Sequence, residues 1–255
     1  MVKSSKKVYA ALGIIFSYIA IYVFLHGVSA DVPNSFNTHE NEIITASSKA
    51  EDSKPIIILD AGHGGMDGGC SAYNGALEKD VNLSIELSLK AMLESFGYSV
   101  EVTRSTDIAI FDPGIVGLSK QKKSDMNNRL SLFNKYENAV AVSIHQNKFT
   151  DPQYSGAQMF YAETNPLSET LAQTLQTTFK NKLQNNNNRE IKNAGKDLFL
   201  LYYSKCPSVM VECGFLSNKQ EADLLLSKDY QKKVALTIFC GLNEFIKNNY
   251  KIQQQ

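Results

Sequence analysis

Excess charge of either sign is missing from this sequence: 26 lysines and arginines balance 26 aspartates and glutamates over 255 residues. The basic residues are scattered, so there is no electrostatic footprint for nucleic acid and no steering field for strongly charged substrates. Nucleic acid is therefore excluded as a partner. Cysteine is scarce, with only Cys70, Cys206, Cys213 and Cys240. That is too few for a disulfide-stapled secreted scaffold, and a packed part of about 200 residues folds without bridges. Their pairing is not specified by the sequence. No internal repeat recurs, which argues against a solenoid.

One long apolar run is present, at the start. Lys3, Lys6 and Lys7 precede an uncharged stretch over residues 8–25, and Val28-Ser29-Ala30 supplies the small residues that a signal peptidase reads. Residues 1–30 are thus a signal peptide or an N-terminal membrane anchor, because the run lies at the lower edge of what spans a bilayer. Residues 31–54 are polar, without apolar periodicity, and read as a flexible linker. The remaining 55–250 form a single domain.

Within it, residues 56–59 are a short apolar run that empties into Asp60-Ala61-Gly62-His63-Gly64-Gly65, a buried strand followed by a loop. The spacing of Val81, Leu83, Leu87, Met92, Leu93 and Phe96 predicts a helix over 79–96, with Gly97 as its stop. A strand over 98–103 and a long loop over 104–123, turned at Asp112-Pro113-Gly114, follow. Asp125 is a candidate cap for a helix reaching about residue 136. Strands over 139–144, 157–161 and 208–211, and helices over 166–183 and 229–246, complete the pattern. Alternating strands and helices predict an α/β fold with a mostly parallel sheet, flanked by helices on both faces.

Of four histidines, His26 and His39 fall in the N-terminal segments, leaving His63 and His145 in the domain. Both directly follow predicted strands, at the sheet edge that lines the ligand crevice in open α/β folds. Two imidazoles there suggest zinc, whose catalytic sites use three protein ligands and keep a fourth position open. Glu78 is the leading third ligand, although a carboxylate at a helix N-terminus also serves as ordinary capping. Glu212 closes the apolar run Val209-Met210-Val211 and needs a partner; a zinc-activated water or a strand-end salt bridge would each supply one.

Four segments, Ile57-Ile58-Leu59-Asp60-Ala61-Gly62-His63-Gly64-Gly65, Leu77-Glu78-Lys79-Asp80, Ser143-Ile144-His145-Gln146-Asn147 and Val211-Glu212-Cys213-Gly214-Phe215-Leu216-Ser217-Asn218, occur in this order. Together they closely resemble the zinc-dependent N-acetylmuramoyl-L-alanine amidases of bacterial cell walls, the amidase type 3 family. The resemblance covers residues 55–246. It implies His63, Glu78 and His145 as zinc ligands, Glu212 as the catalytic carboxylate, and peptidoglycan as substrate, outside the cytoplasm. Gln121-Lys122-Lys123-Ser124-Asp125 through Arg129, and Ser155-Gly156-Ala157-Gln158-Met159-Phe160-Tyr161, are most similar to germination-specific amidases of spore formers. That implies work on spore cortex in the forespore compartment, toward muramic-δ-lactam, with a general autolysin as the alternative. An accessory protein on the same side of the membrane is a further expected partner.

Cys70 and Cys213 stand where the family often has small or polar residues. Each reads as apolar filler, with contact to the metal as the alternative. Asn147 is a candidate substrate contact. Two other function classes remain open at this level: a wall-binding protein without turnover, and a cysteine hydrolase using Cys213 with His145 as base.

Overall fold

A computed structural model describes residues 54–251 of the chain. The signal or anchor and nearly all of the linker lie outside these described residues. Among the described residues no helix is long and apolar enough to cross a membrane.

Among the described residues six strands form one sheet: β1 (Ile56–Ala61), β2 (Val100–Val102), β3 (Ala139–Asn147), β4 (Gln158–Tyr161), β5 (Lys192–Asn193) and β6 (Ser208–Phe215), in the order β2-β1-β3-β6-β4-β5. Strands β2, β1, β3 and β6, from one edge inward, are parallel to one another, as expected, whereas β4 runs antiparallel to β6 and carries β5 with it. The chain passes from β3 to β4 without a helix, so the crossover that parallel pairing demands is absent.

Among the described residues six α-helices surround the sheet: α1 (Glu78–Ser95), α2 (Leu118–Phe133), α3 (Pro166–Lys182), α4 (Phe199–Tyr203), α5 (Lys219–Leu225) and α6 (Lys228–Asn249). Strand alternation sorts the core between the two faces. Ile57, Leu59, Val140, Val142, Val209 and Val211 join the larger core with α1, α3 and α6, while Ile58, Ala139 and Ala141 pack with Phe133 and Leu200 under α2 and α4. Each fully buried Leu or Ile contributes about 1.5–3 kcal/mol of transfer free energy. The smaller core covers only the lower part of its face, and the upper part is left for chemistry.

Several boundaries differ from expectation for identifiable reasons. The buried stripe of α1 is Val81, Ile85, Leu89 and Leu93, a strict i, i+4 series, and Leu87 and Phe96 are exposed. Helix α2 begins at Leu118 rather than near Asp125. Its first turns are polar and largely exposed, so they carry no apolar period, and Gly117 before them takes φ +98°. Asp125 is not a cap: it accepts from Ile110 N at 2.7 Å and from Arg129 Nε at 2.7 Å. The short α4 and α5 have no sequence counterpart above; α5 is capped by Asn218, whose side chain accepts from Glu221 N at 3.0 Å.

Candidate active site

At the C-terminal edge of β1 the chain turns sharply, and His63 adopts φ +64°, the only positive φ outside glycine among the described residues. Two glycines open space for the side chains that meet there. A Cβ on Gly62 would lie 2.1 Å from His145 Nε2, and one on Gly69 would lie 2.5 Å from Glu78 Oε2 and 2.6 Å from the His63 ring. Glu78, the first residue of α1, folds back under this loop and is buried.

The Glu78 carboxylate is the hub. Oε1 lies 2.9 Å from His145 Nδ1 and accepts from Gln146 N at 3.1 Å; Oε2 lies 3.3 Å from His63 Nε2 and accepts from Cys70 N at 2.8 Å. One ligand atom from each of His63, Glu78 and His145 falls within 4.8 Å of the others, so the three can hold a metal ion. Capping does not account for Glu78, since its carboxylate serves this cluster instead of the free amides of α1. Two imidazoles with one carboxylate match a donor set used by catalytic zinc. Burial would raise the Glu78 pKa, but His145 and His63 hold it far below the ordinary carboxylate range. Burial would lower His63, and Glu78 with Asp67 outweighs it and raises it.

Asp67 is a member that sequence reasoning missed. Its Oδ2 lies 3.2 Å from His63 Nδ1, leaving Nε2 turned toward Glu78, the way an outer carboxylate orients a ligating imidazole. Its position four residues after His63 in a glycine-rich loop was the available signal. Arg104 and Arg129 were missed as well. Arg129 Nη2 donates to His63 O at 2.7 Å and Nη1 to Ala61 O at 3.0 Å, while Arg104 Nη2 donates to Gly62 O at 3.1 Å and Lys79 O at 2.8 Å. Arg129 is held by Asp60 and Asp125, both ion-paired to it. These buried guanidinium groups pin the main chain that presents His63 and Glu78.

Glu212 is placed by the β3–β6 register, directly across from His145. Both residues lie inside their strands, which run past the expected ends to Asn147 and Phe215. Glu212 Oε2 is buried without a hydrogen-bond partner. Burial, with the Glu78 charge added, pushes the carboxyl up to about 7 against the pull of His145, His63 and Arg189. Among the described residues Glu212 forms no salt bridge, the alternative partner its strand-end position offered. Asn147 is half-buried at the end of β3, where its carbonyl accepts from Leu216 N at 2.8 Å.

All four cysteines are free. Cys213 lies in the larger core with Val209 and Val211, and burial pushes its thiol pKa up, so it is not an activated nucleophile. Cys70 touches the site through its amide and directs Sγ to Gln146 O at 3.6 Å. Beside the cluster a cleft of about 280 Å³ opens between α2 and α4, with Phe111, Leu118, Met126, Phe199 and Met210 in its walls and His63 and His145 at one end.

The pattern of N-acetylmuramoyl-L-alanine amidases matches residues 57–244 of this chain. The chain belongs to that family. It is an enzyme, a peptidoglycan amidase, as the resemblance of its four segments implied. The germination-specific N-acetylmuramoyl-L-alanine amidase of Bacillus subtilis is 37% identical over 188 residues, covering 73% of this chain and 78% of that protein. The CwlD amidase of Clostridioides difficile, solved in complex with the GerS lipoprotein, superposes with a TM-score of 0.73 at 36% identity, covering 76% of this chain and 100% of that one. The amidase AmiC2 of Nostoc punctiforme gives a TM-score of 0.61 at 28% identity, over 76% of this chain and 98% of its own. The single α/β domain with its mostly parallel sheet is the fold of these amidases.

Proposed function

We propose that this amidase is a zinc enzyme that hydrolyses the amide between the lactyl group of N-acetylmuramic acid and the L-alanine of the stem peptide. The observation that carries the reading is the convergence of His63, Glu78 and His145 on one point, with the unpartnered carboxylate of Glu212 one strand away. His63, Glu78 and His145 hold the metal. When bound, zinc supplies Lewis-acid polarisation of the scissile carbonyl and a lowered pKa for water. Glu212 takes the proton from the attacking water and returns it to the departing L-alanine nitrogen, a role suited to a carboxyl lifted toward neutrality. Asp67 keeps the His63 ring turned inward, and the apolar cleft beside it limits bulk water around the substrate.

Spore cortex is the substrate layer this reading favours, with peptide removal preparing muramic acid for muramic-δ-lactam formation after a separate deacetylation. Support comes from the likeness to the germination-specific amidase of Bacillus subtilis and to CwlD. On the same likeness, an accessory lipoprotein is a fitting partner, since CwlD was solved with GerS. In this reading residues 1–30 serve as signal peptide or anchor, 31–54 as linker and 55–250 as the catalytic domain, the enzyme acting outside the cytoplasm; the likeness to germination amidases supports the forespore cortex as its compartment. A general autolysin is the second reading, supported by the likeness to a probable cell wall amidase, LytH of Staphylococcus saprophyticus, at 28% identity.

Mass spectrometry of muropeptides after incubation with metal-loaded protein tests the bond. Release of peptides with a free L-alanine amino terminus, leaving intact sugars, is expected; cuts between sugars or within the peptide refute the assignment. Binding to sacculi without new amino termini, with zinc and accessory protein supplied, would point to the wall-binding alternative. Loss of muramic-δ-lactam from spores lacking the gene distinguishes cortex work from autolysis.

A further inference from the structure

The chain has three arginines, and two of them are spent inside the fold. Arg104 and Arg129 are buried and donate to main-chain carbonyls, Arg129 also to Asp60 and Asp125. Arg189 differs. It is half-buried, between α3 and β5, and among the described residues no carboxylate lies within ion-pair distance of it. Its Nε and Nη2 both donate to Gln158 Oε1, at 3.2 and 2.5 Å, and its guanidinium carbon lies 4.9 Å from the centroid of the Phe215 ring. Among the described residues no hydrogen bond engages Nη1.

The two supports are tied to the catalytic carboxylate. Gln158 is the cross-strand neighbour of Glu212 in the β4–β6 ladder, and its own amide is fixed by donation to Glu190 O at 2.8 Å. Phe215 reaches this face through an irregularity in β6. His145 pairs with Glu212 but Asn147 pairs with Phe215, so β6 carries one extra residue and its side-chain alternation shifts there. Glu212 feels the Arg189 charge without pairing to it.

A planar cation held in its plane by an amide and on its face by a ring has already lost most of the rotamer freedom that anion binding would otherwise cost. We propose that Arg189 is the receptor for a substrate carboxylate: the free carboxylate of an acidic residue directly following L-alanine in the stem peptide. The spacing fits. Neighbouring strands are about 4.8 Å apart and an extended residue advances about 3.3–3.6 Å, so a group beyond Gln158 lies roughly one residue from an amide held over Glu212. The proposal rests on the amidase reading above and adds what the site selects.

N-acetylmuramoyl-L-alanyl-D-glutamate and its α-amide differ at the carboxylate alone. With the metal-loaded full chain, the acid is expected to show a KM about tenfold below the amide at similar kcat, the size of one charge-assisted contact. In Arg189→Gln the two KM values converge on that of the amide, with kcat within about twofold of wild type; Arg189→Lys, which keeps the charge, retains part of the preference. Persistence of the full preference in Arg189→Gln, or an equal fall in kcat on both compounds, would overturn the proposal. Calorimetry with the products L-alanyl-D-glutamate and L-alanyl-D-isoglutamine reads the same preference without turnover. An inactive wild type that still prefers the acid therefore refutes the amidase reading alone, and equal binding of the two dipeptides refutes the role of Arg189.

Discussion

At the scale of single residues, the site depends on side chains whose obvious local uses are refused by the fold. Glu78 sits where a helix would use it for its free amides, yet both oxygens face imidazoles. Glu212 keeps its Oε2 buried without a hydrogen-bond partner, an arrangement that costs free energy and that a catalytic role would explain. Glu212→Gln keeps the shape and removes the base, so kcat should fall about 10²–10⁴-fold while zinc content by elemental analysis stays at the wild-type level. A variant that keeps wild-type turnover ends the general-base assignment. Asp67→Asn leaves the ligands untouched but weakens the hold on His63, and zinc affinity measured by chelator competition should drop about 10–100-fold.

At the scale of elements, strand β1 and helix α1 carry the chemistry because buried polar groups lock one to the other. Glu86 of α1 is fully buried and accepts from Ala61 N at 2.6 Å, with its second oxygen unpartnered. Burial and then the Asp60 charge push it up to about 8, against Ala61 N–H, Arg104 and Arg129. Because the folded state holds this proton above the ordinary value of 4.5, its contribution is full below that value. It declines as pH rises and is gone above about 8. Glu86→Gln keeps an acceptor for Ala61 and does not titrate. Melting curves should therefore show wild type losing stability between about pH 4.5 and pH 8 more steeply than the variant, by on the order of a few kcal/mol; parallel curves would contradict it. Arg129→Met strands Asp60 and Asp125 and releases the carbonyls behind His63. Denaturant unfolding should register a loss of about 3–5 kcal/mol.

At the scale of the whole molecule, the two faces of the sheet are used unequally. One is closed by α1, α3 and α6 over the larger core; the other is covered by α2 and α4 only in part, leaving the cleft open beside the ligand cluster. The proposed ligands come from β1's loop, α1 and β3, so a metal at their common point would tie together segments distant in sequence. Zinc at about 100 times its Kd should stabilise the domain by about 2.7 kcal/mol, which for a domain of this size is about 5–11 °C in Tm. Calorimetry before and after chelation reads this, and unchanged Tm together with unchanged activity would remove the metal from the mechanism.

His63 and His145 stood out in the sequence as candidates because histidine is rare here and both follow apolar strand runs, a pattern local in the chain. The alternation of strands and helices was legible for the same reason: period and apolar run length are properties of neighbours. Arg104, Arg129 and Arg189 were not, since what each does is set by contacts across tens of residues; Asp67 is only four residues from His63, but its role shows only once the loop has folded. Nor was the start of α2, whose polar first turns carry no period. Only the tertiary structure decided that Glu78 turns back to the imidazoles, that Glu212 faces His145, and that β4 enters antiparallel. Side-chain identity is written residue by residue, but the register that brings two carboxylates and two imidazoles together exists only once the strands have paired.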